Sequence, residues 1–91
     1  MDRKSPAPAG TPAVALETAR RLVREARLDE AEAAYDGLLA NSPDEVEALN
    51  FVAMRALARG RHAEAMTRLE QALRREPENP VTLAHLGLAQ A

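Results

Sequence analysis

The sequence predicts an all-α fold made of five helices that stack as antiparallel helical hairpins. Composition is the first reason: among 91 residues there are twenty Ala and twelve Leu, no Ile, one Tyr and one Phe. Ala, Leu, Arg and Glu cost least in helices, whereas β-branched and aromatic residues favour strands. The second reason is that apolar residues recur every three or four positions from residue 13 onward, which is the spacing of a helix face. The third is an internal repeat with a period of 34 residues.

Residues 1–12, MDRKSPAPAGTP, contain three Pro with Gly, Ser and Thr. Such a segment cannot bury an apolar face, and it predicts a disordered leader. The domain is predicted to follow over residues 13–91 as five helices joined by short linkers. Each helix has its own apolar positions: Ala15, Ala19, Leu22 and Val23; Ala31, Tyr35, Leu38 and Leu39; Leu49, Val52, Ala53 and Ala56; Ala65, Leu69, Ala72 and Leu73; and Leu83, Leu86 and Gly87.

Capping residues predict where the helices begin and end. Asp29 with Glu32 resembles a capping box for helix two. Either Ser42 or Asp44 is expected to cap helix three, and Gly60 suits the left-handed position after its last residue. Asn79 as the cap and Pro80 in the first turn are expected to open helix five, which should bury Leu83, Leu86 and Gly87 against helix four.

The internal repeat is visible when the chain is shifted by 34 residues. Pro43 then aligns with Pro77, Ala31 with Ala65, and Tyr35 with Leu69. Ala19 aligns in the same way with Ala53 and Gly87. A period of this length is typical of stacked helical hairpins. Small residues at these positions allow the two helices of a hairpin to approach closely.

The period and the residue types resemble the tetratricopeptide repeat family. The second helix of each unit fits best, with Ala31, Tyr35 and Pro43 followed by Ala65, Leu69, Ala72 and Pro77. The first helix of the first unit departs most from the family pattern. The resemblance covers repeat 1 (residues 12–45), repeat 2 (46–79) and a partial repeat 3 (80–91), which is about two and a third repeats. It implies an α–α superhelix with a concave groove lined by the first helix of each unit.

The resemblance also implies which residues contact a partner in this groove. The candidate partner-binding residues are Arg20, Arg24, Glu47, Asn50, Phe51, Met54, Leu57, Val81, His85 and Leu88. Phe51 and Met54 form either an apolar platform for a partner helix or part of the chain's own core. Asn50 is either a hydrogen-bonding group for an extended peptide or an ordinary solvated side chain. The residues with which family members capture chaperone C-termini are not present at the matching positions.

Composition argues against several other functions. There is no Cys, and His62 and His85 are the only histidines, so no catalytic, cofactor or metal site is expected. The net charge of −2 and the scarcity of aromatic residues argue against nucleic-acid binding. No apolar run is long enough to cross a membrane and no secretory signal is visible, so a cytoplasmic location is expected. Eleven Arg against one Lys suggest a bacterial gene.

The sequence therefore predicts a non-catalytic protein–protein interaction module that binds a peptide or helix in an apolar groove. Two alternatives stay open because helix five lacks a second helix to complete its unit. The chain could be the N-terminal accessory domain of a larger bacterial enzyme of the hydroxylase, glycosyltransferase or sulfotransferase type. It could also be a homo-oligomerisation domain that forms a homodimer through helix five or the groove.

Overall fold

A computed structural model of the chain describes residues 12–90. They form five α-helices, α1 (Pro12–Arg24), α2 (Leu28–Asn41), α3 (Val46–Ala58), α4 (His62–Arg75) and α5 (Pro80–Gln90), and this part of the chain contains no strand. None of these helices is both long enough and apolar enough to span a bilayer. The predicted disordered leader lies outside the described residues, except that Pro12 is already the first residue of α1.

The helices pack as consecutive antiparallel hairpins, which confirms the predicted fold class. α1 packs against α2 and α3 against α4, while α2 also contacts α3. α5 contacts both α4 and α3, so it continues the stack after the second hairpin. Because the loops between helices are only three or four residues long, each helix must turn back along its predecessor.

Alanines at the repeat period are buried within the first two hairpins. Ala19, Ala31, Ala53 and Ala65 are all fully buried. The larger side chains Leu49, Tyr35 and Leu69 fill the space beside them. The small residues predicted at the hairpin contacts are thus buried in repeats 1 and 2, and the close approach they allow stays a prediction.

The buried face of α5 differs from the prediction. Leu83 is 48% exposed and Gly87 is also exposed, so neither is buried against α4. Thr82 is instead fully buried, and Leu86 and Ala89 pack against the core of repeat 2. The reason is that the position of Leu83 is covered in repeat 2 by the second helix of the same unit, and the described residues of repeat 3 contain only its first helix.

Two predicted helix caps were wrong. Asp29 and Glu32 form no capping box; both form ion pairs with Arg55 on α3, and Glu32 also pairs with Arg59 at an N–O distance of 2.9 Å. α3 is capped by neither Ser42 nor Asp44 but by the side chain of Glu45, which accepts a hydrogen bond from the backbone N–H of Ala48.

The predicted start of α5 is correct. The side-chain oxygen of Asn79 accepts hydrogen bonds from the backbone N–H groups of Val81 and Thr82, at 2.9 and 3.1 Å. Pro80 is the first helical residue, a position whose backbone N–H has no partner within the helix, so the lack of this group in Pro costs no hydrogen bond.

The turns that close α1 and α3 have the same geometry. Gly60 follows α3 with φ of 76°, and Ala26, one repeat earlier, follows α1 with φ of 60°. In each turn the backbone N–H of the next residue donates a hydrogen bond to the carbonyl oxygen five positions earlier, from Arg27 to Leu22 and from Arg61 to Ala56. The predicted left-handed position at Gly60 is thus confirmed, and repeat 1 places an alanine in the same conformation.

Candidate functional site

A concave cavity of about 550 Å³ lies between α3, α5 and the loops that precede them. Six of the ten predicted partner-binding residues line it: Glu47, Asn50, Phe51, Met54, Val81 and His85. The other lining residues are Tyr35, Glu45, Val46, Glu76 and Asn79. The structure thus brings six of the predicted residues together at one cavity, and their contact with a partner stays a prediction.

Asn50 lies at the junction of α3 and α5. Its side-chain amide nitrogen donates a 2.9 Å hydrogen bond to the hydroxyl oxygen of Thr82. Only 5% of Asn50 is exposed, so it is not an ordinary solvated side chain. Its Oδ1 is buried and has no hydrogen-bond partner in the described part of the chain. The amide therefore joins two repeats and also leaves one acceptor unsatisfied beside the cavity.

One end of the cavity holds a network of three side chains. Arg20 on α1 donates two hydrogen bonds to the carboxylate of Glu47, at 2.6 and 2.9 Å. The hydroxyl of Tyr35 donates a third, at 2.8 Å. The bonds from Arg20 hold the pKa of Glu47 below its ordinary value, although burial opposes them. Burial and the bond to Glu47 raise the pKa of Tyr35 above its ordinary value of 10.0.

Phe51 and Met54 are both half-buried. Each is therefore partly a core residue and partly an apolar surface residue, which were the two alternatives left open by the sequence. The ring of Phe51 packs against the core of repeat 1, with its centroid 4.8 Å from that of Tyr35. Both residues also line the cavity. The core therefore fixes the position of an apolar surface that is still available to a second molecule.

A second depression of about 490 Å³ extends this apolar surface along α3 and α5. It shares Met54 and His85 with the cavity, and it adds the predicted residues Leu57 and Leu88. Leu88 is 66% exposed. The cavity and this depression together form one continuous concave surface, which we call the groove.

Arg20 and Arg24 do not line the groove. Arg20 reaches it only through Glu47, while Arg24 lies with Glu17 and Arg21 beside a separate depression on α1. Both arginines were placed in the groove by the family pattern alone. In this chain the first helix of repeat 1 is the part that departs most from that pattern.

The residues that reach the cavity from the loops and from α2, and Val46 at the start of α3, were not predicted from the sequence as partner contacts. Glu45 and Asn79 cap their helices and also line the cavity, and Glu76 lies in the loop before α5. Glu45 and Asn79 each stand at the start of a helix that faces the groove. Their position next to such a helix is a sequence signal from which they could have been predicted. Tyr35 is both a core residue and a lining residue, and no sequence signal separates these roles.

His85 lines both parts of the groove. Its Nδ1 is buried and has no hydrogen-bond partner among residues 12–90, and burial lowers the pKa of the ring from its ordinary value of 6.5. No group of three or more His, Asp or Glu residues suited to a metal ion occurs among residues 12–90. What the groove offers chemically is an apolar surface bordered by hydrogen-bonding and carboxylate groups.

Comparison with known families shows where this architecture belongs. The family model described as tetratricopeptide repeat matches residues 16–80 and, in a second placement, residues 52–91. The chain belongs to the tetratricopeptide repeat family. Tetratricopeptide repeats generally mediate protein–protein interaction and are typically non-catalytic. No curated protein and no solved structure matches the chain.

Membership also accounts for the helix order. Each tetratricopeptide repeat is one hairpin, so α1–α2 and α3–α4 are two repeats and α5 is the first helix of a third. The first helices, α3 and α5, therefore lie side by side on the concave surface, which is why residues 34 positions apart, such as Phe51 and His85, line the same cavity.

Proposed function

We propose that this tetratricopeptide chain is a non-catalytic interaction module that binds a peptide or a helix of another protein in the groove. The observation that supports this proposal is the continuous apolar surface of Phe51, Met54, Leu57 and Leu88 on the concave side of the stack. A partner that covers this surface removes apolar area from water, which is the main driving force of association.

Non-catalytic binding is also consistent with how the polar groups of the cavity are used. Glu47 is bonded to Arg20 and Tyr35, and the amide of Asn50 is bonded to Thr82. These bonds hold neighbouring helices in register. Within this proposal the bacterial origin, the cytoplasmic location and the accessory role beside a larger enzyme stay predictions.

The test of groove binding is a double substitution, Phe51→Ala with Met54→Ala. A matched control, Val14→Ala with Leu28→Ala, removes two exposed apolar side chains that do not line the groove. The isolated chain is immobilised and proteins retained from a lysate of the source cells are identified. We expect proteins that the wild type and the control retain but the groove variant loses, with circular dichroism unchanged. Identical retention by all three proteins would contradict the proposal.

A homodimer through α5 is the second candidate, and the exposure of this helix favours it. Val81 is 50% exposed, Leu83 48% and Leu88 66%, so this short helix presents three apolar side chains that a second copy could cover. Sedimentation at roughly 100 μM protein would detect even a weak dimer. A Leu83→Glu variant should then sediment as a monomer. If the Phe51/Met54 variant loses the dimer instead, the groove is the self-contact.

A further inference from the structure

The charges around the cavity are unbalanced. Three carboxylates line it, those of Glu45, Glu47 and Glu76, and no Arg or Lys is among the lining residues. Arg20 neutralises Glu47 at an N–O distance of 2.6 Å. Glu45 and Glu76 form no ion pair with any residue of the described part of the chain. The cavity therefore keeps an excess of negative charge.

The contacts of these two carboxylates fix their positions without neutralising them. Glu45 accepts a 3.1 Å hydrogen bond from the backbone N–H of Ala48, and Glu76 accepts a 2.9 Å bond from the side-chain amide of Asn79. Both donors are uncharged. The two glutamates lie in the equivalent loops before α3 and α5, and both line the cavity.

The remaining titratable group of the cavity does not compensate for this charge. Burial lowers the pKa of His85 from its ordinary value of 6.5, which favours the uncharged ring. A low-dielectric, half-enclosed surface strengthens the attraction of uncompensated carboxylates for a cation. Glu45 is partly buried and Glu76 is exposed, so an occupant with basic side chains can form ion pairs with both that no residue of the described chain supplies.

Asn50 gives a second and independent indication. Its side chain is 95% buried beside the cavity, and its Oδ1 has no hydrogen-bond donor within the described residues. A buried acceptor without a donor is unfavourable. Oδ1 has almost no surface open to solvent, so a donor of the occupant reaches it only where the Asn50 side chain shifts toward the cavity, and Arg and Lys side chains are donors only.

We propose that the groove binds a cationic amphipathic segment of a protein partner, in which Arg or Lys side chains flank apolar anchors. This inference rests on the proposed function and deepens it. The apolar residues of the segment cover Phe51, Met54 and Val81, and its basic residues lie at Glu45 and Glu76. An acidic segment of the same apolar content is rejected because its carboxylates face those of the cavity.

The test uses three fluorescein-labelled amphipathic peptides of equal length as probes. They share the same Leu positions and carry Arg, Gln or Glu at every polar position. Fluorescence anisotropy is measured against the folded chain at low and at physiological salt. We expect the Arg peptide to bind most tightly, the Glu peptide least tightly, and the difference to shrink as salt rises.

Charge-removing variants assign the effect to the cavity. Glu45→Gln with Glu76→Gln keeps both hydrogen-bond acceptors but removes both charges, and it should weaken binding of the Arg peptide roughly threefold to tenfold. Glu70→Gln is the control, because Glu70 is an exposed carboxylate of α4 outside the groove. It should leave binding unchanged.

Two results would overturn the inference. One is a Gln or Glu peptide that binds as tightly as the Arg peptide. The other is an Arg peptide whose affinity is the same for the wild type and for the Glu45→Gln/Glu76→Gln variant. Failure of all three peptides to bind counts against it as well. The Phe51→Ala/Met54→Ala variant separates a wrong charge preference from failure of the proposed function. If it abolishes binding of an uncharged peptide, the groove binds partners without the predicted charge preference.

Discussion

Asn50 and Thr82 form a buried hydrogen bond of 2.9 Å that joins α3 to α5. Neither residue has more than 5% of its surface exposed, so water cannot replace this contact. A buried polar pair in an otherwise apolar interface favours the one arrangement in which both partners meet. The contact therefore fixes how repeat 3 stacks on repeat 2, and with it the width of the cavity.

We predict that Thr82→Val lowers the free energy of unfolding by about 1–3 kcal/mol, because the amide of Asn50 loses its partner while the side-chain volume is kept. Thr67→Val is the control. The hydroxyl of Thr67 is exposed and bonds only to the backbone carbonyl of Ala63. Urea unfolding followed by circular dichroism measures both variants. Equal effects for the two would show that the buried bond contributes nothing.

Replacing Ala26 by Gly should stabilise the chain by about 1 kcal/mol, since an L-residue in the left-handed conformation is strained and Gly is not. The reverse change at the equivalent position, Gly60→Ala, should destabilise it by a similar amount. A Cβ at Gly60 meets no atom within 4 Å, so that cost comes from the backbone alone. Thermal melting of both variants measures the effects. Shifts of the same sign in both variants would contradict the prediction.

Ala65→Leu should cost about 1–3 kcal/mol, because Ala65 is fully buried where α4 meets α3 and a larger side chain forces the helices apart. Ala63→Leu places the same side chain two residues earlier on the exposed face of α4 and should change little. Chemical denaturation compares the two. An unchanged melting temperature for Ala65→Leu would show that close approach of the two helices is not required here.

Tyr35 should ionise at a higher pH in the folded chain than its ordinary value of 10.0, because burial and the bond to Glu47 disfavour the phenolate. It is the single tyrosine, so phenolate absorbance follows it alone. The unfolded chain releases this proton first as the pH rises. Stability is therefore complete below the ordinary pKa and falls above it. Tyr35→Phe should reduce that fall, and a titration identical with and without urea would refute the prediction.

The fold could be predicted from the sequence because several local signals agree at one period. Ala19 and Ala53 are buried as expected, Gly60 ends its helix in the left-handed conformation, and Asn79 caps α5. Each of these residues acts within one helix or one hairpin, where spacing along the chain determines the contact. The caps assigned to Asp29 and Asp44 failed because other contacts compete for acidic side chains.

The candidate site could be predicted only in part. Residues on α3 and α5 were predicted because the pattern of the family places them on the concave side, whereas Glu45 and Glu76 belong to loops and Thr82 was not predicted. The repeat does contain the signal for Thr82, since the equivalent residue of repeat 2, Ala48, is fully buried between units. The pairing of Thr82 with Asn50 depends on tertiary packing, which no local spacing encodes.

Helix α5 supplies Val81 and His85 to one wall of the cavity, yet it is anchored mainly through Thr82, Leu86 and Ala89. Local opening of such a lightly held element removes that wall. Any molecule that binds only to the closed arrangement must therefore slow the hydrogen exchange of α5 amides in proportion to its occupancy. In this chain the last helix and the ligand would stabilise each other, so the integrity of the array and the occupancy of its groove form a single linked equilibrium.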